Sequence, residues 1–179
     1  MNGVAALRAV EPAPMTDDLR ARRNVSVVMV VYMTGEALEQ SLACVLADPL
    51  VDELVVVDNG SSPAEAALLQ GLVARDGRVV LMTGHGNVGF ARGANLGARK
   101  ARGDLLVFLN PDAFLQPGCV AELIREIDGR PVPSVIGGRV LNADRTEQRG
   151  GRRGEITPIS ALLSLSTLSK RVPGWRRFG

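Results

Sequence analysis

The 179-residue chain is short of aromatic side chains, which make up 3% of it, and it has one histidine and two cysteines. So few aromatics argue against a surface that stacks bases. Cys44 and Cys119 lie far apart with no CxxC spacing. They give neither a disulfide framework nor a zinc site, and on helix-like segments they read as buried thiols. No apolar run reaches the roughly 18 residues that a membrane-spanning helix needs. The net charge of +2 is too small to imply a nucleic-acid partner. What is present is an ordinary folded composition, 46% apolar and 22% charged, with 20 glycines and 10 prolines that predict many tight turns. One domain of this length can bury a sizeable core.

Residues 1–23 hold prolines, arginines, Glu11, Asp17 and Asp18 but no apolar stretch of a signal peptide. They are expected to form a mobile tail, and the chain is expected in the cytoplasm. The ordered part opens with VSVVMVVY at Val25–Tyr32, a β-branched run suited to a strand covered on both faces. Thr34 is placed to cap a helix over 35–48. A second strand, ELVVVD, ends at Asp58, and Asn59-Gly60-Ser61-Ser62-Pro63 makes a turn into a helix ending at Arg75. A third strand, RVVLMT, leads through a glycine-rich loop at Gly84–Gly89 into a helix starting at Phe90. A fourth strand is expected over Asp104–Leu109, a helix over Leu115–Ile127, and a fifth strand over Val135–Leu141. Alternating strands and helices predict an α/β fold, a mostly parallel sheet with helices on both faces. In such sheets ligands bind outside the carboxyl ends of the strands. The polar residues at strand exits, Tyr32, Asp58, Asn59, Asn87 and Asn110 to Asp112, are therefore expected to share one edge.

Each exit has an ordinary and a chemical reading, and both stay open. Asp58 and Asn59 either cap a turn or present acceptors to a pyrimidine N3–H or a ribose hydroxyl. The loop Gly84-His85-Gly86-Asn87-Val88-Gly89 matches GxGxxG, but it follows the third strand, and Asp104 falls at the start of the next strand, so nicotinamide or flavin binding fits badly. His85 is set aside as a solvated loop residue. Asn110-Pro111-Asp112 breaks the fourth strand. It is either a plain turn or the place where one carboxylate and a diphosphate hold Mg²⁺ or Mn²⁺.

Taken together, VSVVMVVY, VVVDNGSS, GNVGFARGANLGARKARGDLLVFLNPDAFLQPG and VIGGRVLNADRTEQRGG resemble the family 2 inverting glycosyltransferases of GT-A fold, in particular the rhamnosyltransferase-like enzymes of bacterial cell-wall and surface polysaccharide assembly. The resemblance spans about residues 24–155, the expected nucleotide-sugar-binding domain. It implies that Val31 and Tyr32 line a nucleoside pocket and that Asp58 and Asn59 hold base and ribose. The family often has Asp at the position of Asn59. It implies further that Asn87, Gly89 and Arg92 lie near the ribose and diphosphate of the donor. Asn110-Pro111-Asp112 corresponds to a DxD metal motif with Asn first, leaving Asp112 as metal ligand. The implied donor is a dTDP- or UDP-linked sugar, the implied acceptor a saccharide or polyprenyl-linked molecule, and the mechanism a single displacement with a carboxylate base.

In the family that base sits in an acidic pair in an acceptor-binding half. None of the 179 − 112 = 67 residues after Asp112 supplies an adjacent Glu-Asp pair. The chain therefore reads as a donor-binding part, with residues 156–179 an amphipathic segment leading into the acceptor half. That segment is expected to pack on a partner surface, self-associate as a homo-oligomer, or touch anionic lipid. Two alternatives are kept: a catalytically silent sugar-nucleotide-binding or assembly module, and a nucleotidyltransferase. The second would carry a basic, glycine-rich loop after the first strand, where VVYMTGEALEQ has neither Lys nor Arg.

Overall fold

The computed structural model describes residues 23–142 and 144–148. Four parallel strands, β1 (Val25–Val31), β2 (Glu53–Asp58), β3 (Val79–Met82) and β4 (Leu105–Phe108), lie in the order β3-β2-β1-β4. Four helices alternate with them and follow them: α1 (Ala37–Ala47), α2 (Pro63–Arg75), α3 (Phe90–Lys100) and α4 (Cys119–Ile127). All seven residues of β1 are buried, as the continuous apolar run predicts for a central strand.

The two faces of the sheet are covered differently. Val25, Val27, Met29 and Val31 of β1 and Leu54 and Val56 of β2 pack with Leu38, Leu42 and Val45 of α1, Leu69 of α2 and Val120, Ala121 and Ile124 of α4 in one cluster. Among the described residues, the opposite face carries α3 alone. Gly93 and Gly97 let this helix lie close on the sheet, because a Cβ at Gly93 would stand 3.0 Å from Val30 and one at Gly97 only 2.4 Å from Val28. Helix α3 covers β1 and β2 but not β4. Leu106 and Phe108, which pair with Ser26 and Val28 and so belong to the α3 face, stay 40% and 54% exposed.

At the amino ends of the strands, buried Glu53 ties three segments together. Its Oε2 accepts from Ser26 Oγ at 2.7 Å and from the Arg102 N–H at 2.9 Å, and the Arg102 guanidinium lies 2.9 Å from Oε1. Asp104, just before β4, accepts from the Asn24 N–H at this same end.

Three local expectations need correction. Thr34 does not cap α1. A left-handed Gly35 (φ 78°) intervenes, its N–H bonds Glu65 Oε1 at 2.9 Å, and the helix starts without a side-chain cap. Helix α4 begins at Cys119 rather than Leu115, because Gly118 (φ 80°) is left-handed and cannot belong to a right-handed turn. Val135–Leu141 is not a strand. Leu141 makes one isolated antiparallel bridge to Glu147, Val135 is 97% exposed, and Gly137-Gly138 interrupt the segment with nothing to pack. The chain divides into two compact units at this point, Met1–Ser134 and Val135–Gly179. In the second, Asn142, Asp144 and Thr146 form a hydrogen-bonded turn. The expected tail and the amphipathic segment 156–179 lie outside the described residues, except Arg23.

Candidate functional site

Parallel strands align their carboxyl ends, so the residues that leave β1, β2 and β4 emerge at one rim. Val31 pairs with Asp58 at the ends of β1 and β2. On the other side of β1, the chain leaves β4 through a Leu109 N–H bond to Val28 O and then turns at Asn110-Pro111-Asp112. The crossover from β3 to β4 changes direction across β1, and the rim beside β1 is the switch point where α/β sheets open a crevice. A cleft of about 300 Å³ lies there. It is lined by Val30, Tyr32, Asn59, Asn87, Gly89, Phe90 and Pro111. Five of the sequence candidates therefore meet at the rim cleft or its edge: Tyr32, Asn59, Asn87 and Gly89 line it, and Val31 ends the strand beneath. Val31 itself is fully buried in the core cluster on the sheet face opposite Val30, so its side chain does not line the cleft as the resemblance implies.

Asp58 sits at the turn. Its Oδ1 accepts from the Gly60 N–H at 3.1 Å and the Ser61 N–H at 2.8 Å, so part of the carboxylate caps the turn as the ordinary reading holds. Neither amide uses Oδ2. Burial pushes the Asp58 carboxyl up, but the Ser61 hydroxyl, the two N–H groups and the nearby His85 charge outweigh it and hold the acid below its usual value of 3.8. Asp58 is thus held as an anion at the rim. Gly60 (φ 112°) approaches the Tyr32 ring, where an added Cβ would stand 3.5 Å from Cδ2 and Cε2. Resting on that glycine, the ring is 55% exposed.

Asn59 is buried, and both ends of its carboxamide are engaged. Its Oδ1 accepts from the Val88 N–H at 2.9 Å and its Nδ2 donates to Asn87 Oδ1 at 3.0 Å. Asn87 Oδ1 also accepts from the Gly89 N–H at 2.9 Å. No side chain caps α3, so its first backbone N–H groups face out from the N-terminus beside Gly89. Such an end favours an anion.

Arg92 lies elsewhere. It lines a separate groove of about 280 Å³ with Val88, Asn95, Leu96 and Arg99 on the outward side of α3. Asn110 and Asp112 are exposed on either side of Pro111, and the Asp112 carboxylate has no hydrogen bond or ion pair among the described residues. No group of three His, Cys, Asp or Glu able to hold a metal ion occurs among the described residues. Asp112 is therefore suited to an ion held jointly with a ligand's oxygens rather than to a closed site. Two residues of interest escaped the sequence reading. Phe90, 61% exposed at the cleft, read as the first apolar residue of a helix. His85, set aside as solvated, lies near Asp58, with a buried Nε2 that has no hydrogen-bond partner among the described residues. No helix among the described residues is long and apolar enough to cross a membrane.

The sequence profile described as "Glycosyl transferase family 2" matches residues 26–172. An uncharacterized glycosyltransferase of Haemophilus influenzae is 33% identical over 92 residues, 51% of this chain and 37% of that protein. The dodecaprenyl-phosphate galacturonate synthase of Rhizobium johnstonii is 26% identical over 142 residues, 75% of this chain and 41% of that protein. Among solved structures, a Pyrobaculum calidifontis mannosyltransferase in complex with GDP-Man and Mn²⁺ superposes with a TM-score of 0.55 at 20% identity, over 60% of this chain and 33% of that one. The likeness shows the GT-A fold, and the chain spans about two-fifths of the length of the curated relatives it matches.

Proposed function

The chain belongs to glycosyl transferase family 2, and on that premise we propose that it is the donor-binding part of an inverting glycosyltransferase. The donor is a dTDP- or UDP-linked sugar, with rhamnose the sugar suggested by the sequence resemblance. The acceptor is a saccharide or a polyprenyl-linked molecule of cell-wall or surface polysaccharide synthesis, a reading supported by the lipid-phosphate name of the Rhizobium relative. One observation carries the proposal: an apolar-walled cleft at the sheet's switch point, with Asp58 at one side and Pro111, between Asn110 and Asp112, at the other.

In this reading the exposed rings of Tyr32 and Phe90 offer a base apolar surface to lie on. Asp58, kept ionised, offers Oδ2 to a ribose hydroxyl or a base N–H. Asn87 and the backbone at Gly89 lead the diphosphate toward the open N-terminus of α3. Arg92 follows one turn later and reaches the diphosphate only by swinging from its outward groove. Asp112, with Asn110 beside it, would hold Mg²⁺ or Mn²⁺ against the diphosphate oxygens. Such a cation, when bound, supplies neutralising charge at the departing nucleoside diphosphate. The Mn²⁺ and GDP-Man of the Pyrobaculum structure support this part of the reading. The acceptor-side base is not assigned to any residue of this chain.

Calorimetric titration with nucleoside diphosphates, with and without Mn²⁺, tests the proposal. Binding that tightens with Mn²⁺ is expected, and no binding of any nucleoside diphosphate would refute it. Transfer of labelled sugar to a lipid-linked acceptor separates the enzyme from the silent module.

A further inference from the structure

The loop between β3 and α3 is held by very little. Gly84, Gly86 and Gly89 all have positive φ, 85°, 64° and 81°, so the backbone has great freedom to lose on ordering. Among the described residues, the hydrogen bonds of residues 84–88 are Val88 N–H to Asn59 Oδ1, Asn59 Nδ2 to Asn87 Oδ1, and the Asn87 acceptance of the Gly89 N–H. All three run through two carboxamides. Asn59 is itself fixed to the sheet by its own N–H, 2.8 Å from Val31 O, and is only 3% exposed.

The chemistry dictates which amide end points where. A backbone N–H can only donate, so Val88 requires an oxygen from Asn59, which turns the Asn59 NH₂ toward Asn87. Gly89 likewise requires an oxygen from Asn87. Position 59 must therefore both accept and donate, whereas position 87 only accepts. A carboxylate would serve at 87 but not at 59. At 59 it would set two oxygens face to face at about the present 3.0 Å. Relief would need Asn87 to turn over, which surrenders the Gly89 N–H, and the new charge would be buried beside Asp58.

We infer that Asn59 is a positioning residue, a carboxamide clamp that holds the 84–89 loop in the shape that delivers Asn87 and Gly89 to the cleft, and that the Asp often found at this position in the family does not serve in this chain while Asn87 Oδ1 stays on the Gly89 N–H. The clamp stands on geometry alone, and only its effect on donor binding rests on the function proposed above.

The test uses the full chain and four variants, Asn59→Asp, Asn59→Ala, Asn87→Asp and the Asn59→Asp/Asn87→Asp pair. Hydrogen exchange of the Val88 and Gly89 amides is read first, with the melting temperature as a control on global folding. Asn87→Asp is expected to keep both amides protected. Asn59→Asp should speed exchange of both by about tenfold or more, the loss expected for one broken hydrogen bond, and the pair should be worse than either single change. Asn59→Ala removes both partners without adding charge and carries the comparison if Asn59→Asp does not fold. Titration with UDP and dTDP is read second, below the melting temperature of each variant, where Asn59→Asp should weaken binding by about tenfold. Wild-type protection in Asn59→Asp, or equal loss in Asn87→Asp, overturns the clamp. If even the unaltered chain binds no nucleotide, the proposed function fails while the exchange result still decides the clamp.

Discussion

Replacing Gly97 by alanine sets two known effects against each other. Gly97 lies in the interior of α3, where alanine gains about 1 kcal/mol in helix propensity. Against that, the new Cβ would stand 2.4 Å from Val28 Cγ1 and 3.1 Å from Val57 Cγ2. Carbon atoms pack best at about 3.5–4.0 Å, so one contact must open by roughly 1 Å. Val28 cannot yield easily. It is β-branched, is fully buried in β1, and has backbone neighbours on both sides. Helix α3 must lift instead, at an overpacking cost of about 1–3 kcal/mol. With the closer contact well below any normal distance, the upper half of that range applies, and the net loss is about 1–2 kcal/mol. For a chain of this size the melting temperature should fall by about 3–8 °C. Gly93 supplies the internal control. Its added Cβ would meet Val30 Cγ1 at 3.0 Å, so Gly93→Ala should come out near neutral. Thermal and urea unfolding of both variants measures the difference. A Gly97→Ala protein that melts at or above the unaltered chain would show that α3 is not seated as described.

Gly103→Ala should be harsher than either helix change, by about 3 kcal/mol or more, because its Cβ would meet the Ser26 backbone nitrogen at 2.6 Å and Asn24 O at 2.9 Å; urea midpoints rank the three. At Glu53, burial pushes the carboxyl up, but Ser26 and Arg102 more than offset it and hold the acid below 4.5. The stability it adds is therefore complete above pH 4.5 and is lost as pH falls through the lower folded value. Glu53→Gln should flatten the decline of stability below pH 4.5, and an unchanged slope would contradict the network. Asp112→Ala should abolish any Mn²⁺-dependent gain in nucleotide affinity while leaving the melting temperature within about 1 °C, since the carboxylate is exposed and has no partner among the described residues. A surviving gain would place the ion elsewhere.

The strands and helices up to Ile127 were readable because each carries a strong local signal. Apolar β-branched runs gave β1 and β2, and helical spacing between turn residues gave α1 to α3 with ends within about two residues. The misreadings fall where a single backbone angle decides. Gly35 and Gly118 are left-handed, and nothing in composition distinguishes them from other turn glycines. The expected strand at Val135–Leu141 had the right apolar content, but a strand also needs an edge to pair with, and sequence periodicity cannot supply one. At the site, the topology rule gathered scattered exits correctly, whereas side-chain direction was beyond it. For Asn59 both a turn role and a ligand role stay open from sequence, and its carboxamide is engaged by Asn87 and Val88. Arg92 reads as a donor contact and lies in the outer groove. Phe90 was hidden because an apolar residue at a helix start reads as core.

The cleft takes its lining from β1, the turn after β2, the loop before α3 and the turn after β4, so no single supersecondary unit owns it. A compound that spans this cleft therefore reports on assembly of the whole sheet. Its occupancy raises the unfolding free energy by RT ln(1 + [L]/Kd), about 2.7 kcal/mol at a hundredfold excess over Kd. A panel of sugar nucleotides can accordingly be ranked by the heat each lets the protein withstand, with no need to know the acceptor.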